Sequence, residues 1–345
     1  MSNTTYILGA GASANSIPVI LRMENSINKM IEYLCSDKSF ILDHNPFFEN
    51  LGIDLENLNS DKLSKFVSSL RKLKEDCQRE ITIDTHANIL YRNGNWKEYD
   101  LLKLNLTSFF TLQQMITKVD PRYSHFLTSI LNSNNEIPET IKILSWNYDT
   151  QLEMAYGKII KSDDIYSVLD KMKIHSKFLA VSHSNKNPNI FKLNGSIFYY
   201  YANGFRKFYL NSGLTENLNQ SNLERLIDNH NNYFDLISKE KMDYSSALSY
   251  AFEEEKKEDQ YIHKVKESTL ETTKLAIIGY SFPHLNYKTD LEIISNMKSL
   301  KDILVVTKDS DIMNRKLKNI KNDTKMSFNF DITTETNYFP TPTEI

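Results

Sequence analysis

The sequence predicts an α/β fold, Rossmann-like and doubly wound, in which a mainly parallel sheet carries large helical insertions. Three observations predict it: short apolar runs typical of buried strands recur along the chain, amphipathic helical segments separate them, and glycine-bearing turns follow several of them. The expected strands are Thr4–Leu8, Ile141–Ser145, Leu179–Ser182, Phe191–Leu193, Lys274–Ile278 and Ile303–Val306.

The helical segments are too long for simple crossovers between strands. Two apolar stripes with helical spacing lie early in the chain, one at Leu63, Phe66, Val67, Leu70 and Leu73, the other at Tyr123, Phe126, Leu127, Ile130 and Leu131. We therefore expect a single domain over residues 1–345. Its expected parts are a helical insertion at 20–138, core strands with a hairpin at 139–212, a second helical insertion at 213–270 and core strands at 271–335.

Composition narrows the class of protein. The 41 basic and 44 acidic residues leave a net charge of -3, so no overall attraction to nucleic acid is expected. Cys35 and Cys77 cannot build a disulfide framework or a four-cysteine zinc site, which favours two unpaired core thiols, a cytoplasmic location and no metal. No apolar run approaches the length of a membrane span, so no membrane association is expected.

The glycine turn after the first strand is the strongest local signal. Gly9-x-Gly11-x-x-Ala14 fits the fingerprint of a dinucleotide-binding turn, in which glycines let backbone N–H groups approach a pyrophosphate. Ser16 could cap the following helix, with Pro18 in its first turn. An ordinary strand-to-helix connection also fits. The chain then continues as helix through Val19–Leu34 instead of reaching a second strand, unlike a standard dehydrogenase half.

Polar clusters follow four of the expected strands. Ligands of doubly wound sheets bind at the carboxyl ends of the strands, near the topological switch point, so these clusters are candidates for a binding site. They are Ser145–Asp149, Asn194–Ser196, Gly279–Pro283 and Thr307–Asp309.

The blocks GAGAS, SWNYD, KLNGS and IGYSFPHLNYKTD, in that order, resemble those of the sirtuin-like domain of bacterial anti-phage defence proteins. The resemblance also includes Ile83-Asp84-Thr85 and Asp120-Pro121-Arg122-Tyr123, so it spans nearly the whole chain. It implies binding of NAD+, as substrate, in a cleft between the sheet and the helical part, and cleavage of the nicotinamide–ribose bond.

The resemblance also implies roles for individual residues. The Gly9–Ser13 turn would hold the pyrophosphate, Asn147 would bond the nicotinamide ribose or its attacking water, and Asp149 would accept from the carboxamide. Asn147, Asn194 and Asp84 are the implied catalytic residues. The implied NAD+-binding residues are Gly9, Ala10, Gly11, Ala12, Ser13, Tyr148, Asp149, Gly195, Ser196, Gly279, Tyr280, Ser281, Thr307 and Asp309.

Several of these residues could instead have a purely local structural role. Asn147 and Asp149 could bond their own backbone in a turn, and Ser281 could be a helix N-cap. Asp84 could cap a helix that begins near Thr85 instead of lying near the ribose. Asn286 could be a hydrogen-bond donor that defines the fold or a residue of the cleft.

Asn194 departs from the family pattern, which has a histidine general base at this position. An amide cannot take up a proton near neutral pH, and loss of a general base costs about 10²–10⁴-fold in rate. Asn194-Gly195 is also a strong signal for a two-residue hairpin turn. We expect a strand end whose loop turns back into a small hairpin, with Asn194 near the cleft. His175, His183 and His284 are possible substitutes for the missing base.

The sequence therefore predicts an NAD+ glycohydrolase that acts in anti-phage defence by depleting NAD+. The alternative is a catalytically impaired module that binds NAD+ or ADP-ribose and acts in regulation or assembly. Control is expected to lie in a homo-oligomer, in a separate sensor or ATPase protein, or in both.

Overall fold

A computed structural model describes residues 3–35, 53–80, 82–176, 187–202, 205–208, 218–239, 244–256 and 260–345. The chain divides into two compact units. The sheet unit comprises Met1–Asn15, Val119–Ser196 and Ser249–Ile345, and the helical unit comprises Ser16–Lys118 and Ile197–Leu248. The unit boundaries fall at 15/16, 118/119, 196/197 and 248/249, whereas the sequence placed the helical insertions at 20–138 and 213–270.

The described elements alternate along the chain. The strands are β1 (Thr4–Leu8), β2 (Ile141–Ser145), β3 (Ile174–Ser176), β4 (Ile190–Lys192), β5 (Gly195–Ala202), β6 (Phe205–Phe208), β7 (Tyr244–Leu248), β8 (Lys274–Ile278), β9 (Asp302–Val306) and β10 (Asn329–Thr333). The α-helices are α1 (Ile20–Cys35), α2 (Ser60–Arg79), α3 (Ile83–Arg92), α4 (Trp96–Ile116), α5 (Pro121–Ile130), α6 (Gln151–Ile160), α7 (Ile165–Lys171), α8 (Gln220–Ser238), α9 (Gln260–Thr269), α10 (Tyr287–Asn296) and α11 (Ser310–Thr324).

The sheet unit is built on a seven-stranded sheet with the order β10-β9-β8-β1-β2-β4-β3. Every strand pair of this sheet with a described register is parallel, and β1 lies in the middle, aligned with β2 and with β8. The chain first builds outward from β1 through β2 and later continues on the other side through β8. This reversal places the topological switch point at β1, and it confirms the predicted Rossmann-like α/β fold.

Burial explains why these segments are strands. All five residues of β1 are buried, and so are four of the five in β2 and in β8, as short apolar runs covered on both faces should be. The sequence predicted β1, β2, β4, β8 and β9, with ends that differ by at most one residue. It did not predict β3 or β10. The expected strand at Leu179–Ser182 lies outside the described residues.

The helical unit consists of packed helices and a small sheet. Helix α2 packs against α1 and α8, and its predicted stripe is confirmed, since Phe66, Leu70 and Leu73 are fully buried. Three strands in the order β6-β5-β7 form a second sheet in which β5 and β6 pair as a hairpin. Strand β7 lies in a segment that the sequence predicted to be helical, which was wrong at these residues.

The state and the burial of the two cysteines test the sequence prediction. Both cysteines are free thiols, as expected, but the core position predicted for Cys35 is wrong because this residue is exposed. Burial raises the pKa of the partly buried Cys77 to about 12.

Within the described parts of the chain, no helix combines the length and the apolar character that crossing a membrane requires.

Candidate functional site

The turn after β1 packs tightly against the turn after β8. The Gly9 N–H donates to the carbonyl oxygen of Ile278 at 3.0 Å, and the Gly11 N–H donates to that of Gly279 at 2.8 Å. A Cβ at Gly9 would lie 2.6 Å from Cα of Tyr280, and one at Gly11 would lie 2.7 Å from Cα of Gly279. The glycines are therefore required for contact between two backbones, whatever else this turn binds.

The glycine turn leads into a short 3-10 helix, Ala10–Ser13, and not directly into an α-helix. Ser16 and Pro18 precede α1, which begins only at Ile20, so their predicted places in the helix after the turn were wrong. A four-residue helix has little dipole to offer an anion. The N–H groups of Gly9, Gly11 and Ala12 all donate to protein carbonyls, whereas Ala10 is exposed at the surface of the turn.

Asn147, in the loop after β2, ties that loop to the glycine turn. Its Nδ2 donates to the carbonyl oxygen of Gly9 at 2.9 Å and to Oγ of Ser13 at 3.2 Å. Its backbone N–H donates to Oγ of Ser145 at 3.2 Å, whereas its side chain bonds Gly9 and Ser13 and not its own backbone, so the local turn considered for Asn147 is not formed by its side chain. The side chain is buried, and both of its amide hydrogens are engaged within the protein.

A buried polar network extends from Ser13 into α5. Oγ of Ser13 shares a hydrogen bond of 2.8 Å with the hydroxyl of Tyr123. The neighbouring Arg122 donates through Nη2 to the carbonyl oxygen of Ala12 at 3.0 Å, and through Nε to both carboxylate oxygens of Asp120, each at 3.0 Å. Burial raises the pKa of Tyr123 well above its ordinary value, so this hydroxyl stays protonated. The block DPRY, predicted in the helical insertion, thus belongs to the sheet unit and supports the glycine turn.

One buried cation, Lys192, lies beside Glu153 and the backbone of Asp149. Oδ1 of Asp149 accepts from the Gln151 N–H at 3.1 Å, at the start of α6, which is the local turn considered for this residue. Nζ of Lys192, at the end of β4, lies 3.2 Å from Oε1 of Glu153 and donates to the backbone carbonyl of Asp149. Desolvation raises the pKa of both carboxyls, and the charge of Lys192 opposes that rise.

Asn194 follows β4 and is joined to the loop after β2. Its Nδ2 donates to the carbonyl oxygen of Trp146 at 2.9 Å, and the side chain is 9% exposed. Its Oδ1 has no hydrogen-bond partner among the residues that the structure describes. Gly195 has a positive φ of 71° and Asn194 does not, so the hairpin turn with positive φ at both positions is wrong. The hairpin here is formed by β5 and β6, further along the chain.

The loop after β8 is held by another buried carboxylate, that of Asp290. Asp290 of α10 accepts from Nε1 of Trp146 at 3.1 Å and from the hydroxyl of Tyr280 at 2.7 Å, and the two aromatic rings are stacked with centroids 5.9 Å apart. Asn286 donates to the Tyr280 hydroxyl at 3.2 Å, in keeping with a role in the fold. Burial raises the pKa of Asp290 well above its ordinary value, so the group tends to keep its proton.

Most of the remaining predicted residues of this edge are more exposed. Ser281 is exposed and is not a helix N-cap, since α10 begins at Tyr287. Asp309 caps α11, accepting from the Ile312 N–H at 3.1 Å, and Thr307 is partly buried. Tyr148 is partly buried and Ser196 is buried.

Asp84 and the histidines give little support for a base beside Asn194. Asp84 lies in the helical unit, in the first turn of α3, whose N-cap is Thr82, so the alternative in which Asp84 caps this helix was wrong. Desolvation raises the pKa of Asp84 to about 6. His284 is exposed, and burial lowers the pKa of His175 to about 4. His183 lies outside the described residues.

Hydrogen bonds or packing contacts join the loops after β8, β1, β2 and β4, which are neighbours in the sheet. Sequence reasoning missed Lys192, Glu153 and Asp290 as residues that build this edge. A lysine inside the apolar run Ile190–Leu193 was the available signal, because a buried ammonium group requires an acidic partner.

Taken together, the fold and the edge define a Rossmann-like α/β protein whose candidate site lies at the switch point of its sheet. No protein-family model matches the chain, and no match is found among curated proteins.

Proposed function

We propose that this chain is an NAD+ glycohydrolase of the sirtuin-like class, which cleaves NAD+ to nicotinamide and ADP-ribose. One observation carries the proposal. The four sequence blocks that resemble this class follow β1, β2, β4 and β8, and these strands occupy adjacent places in the sheet, in the order β8-β1-β2-β4. Because the pairs are parallel, the blocks lie at one edge, where doubly wound folds bind dinucleotides.

Cleavage of NAD+ requires polar atoms that stabilise positive charge on the ribose. The nicotinamide–ribose bond breaks through an oxocarbenium-like transition state, and neutral nicotinamide leaves without needing an acid. Asn194 offers a buried Oδ1 that accepts no hydrogen bond from the described residues, so it would accept from a ribose hydroxyl or from the attacking water. Asp149 would accept from the carboxamide.

Asn147 would contribute mainly by positioning. Both of its amide hydrogens already donate within the protein, to Gly9 and Ser13, so it would hold the glycine turn in place beneath the dinucleotide. The pyrophosphate would lie against the exposed backbone at Ala10, since the N–H groups of Gly9, Gly11 and Ala12 are occupied. In the cell, depletion of NAD+ would serve anti-phage defence, under control of self-assembly or of a separate sensor or ATPase protein.

A second function is favoured by the identity of residue 194. An asparagine cannot act as a general base near neutral pH, so the same edge could bind NAD+ or ADP-ribose without turnover and act in the regulation or assembly of a defence complex.

The test is incubation of the purified chain with NAD+, with nicotinamide and ADP-ribose separated by chromatography. Turnover is measured at several protein concentrations, so that activation by self-assembly is detected. Asn194→Leu, which keeps the size and removes both the acceptor Oδ1 and the donor to Trp146, should lower turnover at least about tenfold. Asn194→His should raise it, with a rate that increases through the imidazole range, at about pH 6.5.

Calorimetry with NAD+ separates the two functions. Uptake without turnover at any protein concentration would support the binding module. If NAD+ is neither bound nor cleaved, both functions are excluded.

A further inference from the structure

The helical unit contains a cavity of about 320 Å³ that the proposed function does not use. It is bounded by residues of α2, α3, α4 and α8, and its apolar wall is formed by Leu90, Leu101, Leu102 and Phe234. Pockets for small molecules begin at roughly 300 Å³ and are mostly apolar with a few polar groups. The cavity therefore has the size and the lining of a site for a small ligand.

Asn105 of α4 supplies the polar atom that points to a ligand. The residue lines the cavity and is only 3% exposed, and its Oδ1 has no hydrogen-bond partner among the described residues. Buried acceptors in native proteins are nearly always paired, because desolvation without a compensating hydrogen bond is costly. An N–H or O–H group of a ligand would satisfy this oxygen.

The α2 wall of the cavity carries surplus positive charge. Lys65, Lys72 and Arg79 recur every seven residues along α2, which places them on one face of that helix. Lys65 is paired with Asp235, whereas Lys72 and Arg79 both reach the single carboxylate of Asp76.

The other titratable groups that line the cavity do not neutralise this positive charge. Nε of Arg79 lies 3.5 Å from Asp76, too far for a strong hydrogen bond, and this guanidinium keeps donors to offer. Glu98 is exposed to solvent. Desolvation lowers the pKa of His86, so its imidazole is neutral at pH 7.

We propose that this cavity binds a small organic anion with a flat apolar or aromatic body and an N–H or O–H donor. The body would lie against the leucines and Phe234, the donor would bond Oδ1 of Asn105, and the acidic group would face Arg79 and Lys72. The acidic group can be a phosphate or a carboxylate, because a guanidinium recognises both.

The experiment is calorimetric titration of the full chain with two anionic probes and their neutral counterparts. The probes are AMP with adenosine, and indole-3-acetate with indole, so that the two arms distinguish a phosphate from a carboxylate. We expect at least one anionic probe to bind about tenfold more tightly than its neutral counterpart, as one charge-assisted hydrogen bond would provide.

Two variants assign the binding to this cavity. Asn105→Leu should weaken the bound probe about tenfold or more, while the thermal midpoint stays level or rises because an unpaired buried oxygen has been removed. Arg79→Gln should remove the preference for the anion and leave the affinity for the neutral probe unchanged. Lys62→Gln, an exposed position on the same helix, is the matched control and should change neither.

Three results would overturn the proposal. One is the absence of saturable binding of all four probes at millimolar concentration, which would mean that water fills the cavity. Another is binding that Asn105→Leu does not weaken, which would place the probe elsewhere, for example at the edge of the sheet. The third is binding that depends on Asn105 but shows no preference for the anion.

Discussion

Asn147 donates from Nδ2 to the carbonyl oxygen of Gly9 across 2.9 Å, so the loop after β2 is fastened to the turn after β1. The same nitrogen reaches Oγ of Ser13, which in turn meets the hydroxyl of Tyr123. Residues from three distant parts of the sequence therefore form one buried network. This network holds the glycine turn by hydrogen bonds, and the backbone of the loop after β8 packs against the same turn.

Replacing Asn147 with aspartate tests the network. Asn147→Asp keeps the size of the side chain, but it removes both donors and places an oxygen against the carbonyl of Gly9. We expect a loss of about 2–3 kcal/mol in the free energy of unfolding, measured in urea at pH 7. Tyr123→Phe, which removes one hydroxyl from the same network, should cost about 1 kcal/mol. Equal losses in the two variants would show that the amide donors of Asn147 are not what holds the turn.

Gly279→Ala should be among the most destabilising small substitutions in the chain. Gly279 has a φ of 58°, and a Cβ there would lie 2.4 Å from the backbone nitrogen of Ala12. Strain and backbone clash together should cost at least about 3 kcal/mol, measured by urea unfolding. Gly94 is the matched control, since its φ is 71° but the nearest atom to a new Cβ is 3.8 Å away. Gly94→Ala should therefore cost only about 1 kcal/mol, and a similar cost at both positions would mean that the contact between the two turns is unimportant.

Strands that are buried on both faces could be predicted from the sequence, and their shared carboxyl edge followed from the parallel topology. Strand β10 could not, because Asn329–Thr333 alternates polar with apolar residues at the edge of the sheet and has no continuous apolar run, and none of its residues is fully buried. Strand β3 has only three residues, too few to show a pattern.

The loop residues of the candidate site were predictable for the same reason, since each follows a strand. Their supports were not predictable. Arg122 is recognisable only once Ala12, 110 residues away in the sequence, is known to lie beside it. The same holds for Asp290 and Trp146, which are 144 residues apart and meet only in the folded chain.

Lys192→Met should be far more costly than the same substitution at the surface. It removes the cation that lies 3.2 Å from Glu153, where both side chains are nearly inaccessible, and leaves an uncompensated buried carboxylate. We expect a loss of about 3–5 kcal/mol in the free energy of unfolding. Lys62→Met breaks an ion pair with Asp228 whose side chains are about half exposed, and it should cost less than about 1 kcal/mol. Urea unfolding of both variants checks the difference, and comparable losses would contradict a stabilising role for the Lys192–Glu153 pair.

Asp84→Asn should remove a component of the pH dependence of stability. Desolvation raises the pKa of Asp84 from 3.8 in the unfolded chain to about 6 in the folded protein. Between these values the native state keeps a proton that the unfolded chain has released, so the contribution of Asp84 to stability falls as the pH rises and becomes level above about pH 6. An asparagine does not titrate. The free energy of unfolding of the native sequence minus that of Asp84→Asn should therefore decrease from pH 4 to pH 6 and then stay constant, as measured by urea unfolding at intervals of one pH unit. The other titrating groups are common to both proteins, and their contributions cancel in this difference. A difference that does not change with pH would therefore show that Asp84 has an ordinary pKa in the folded chain.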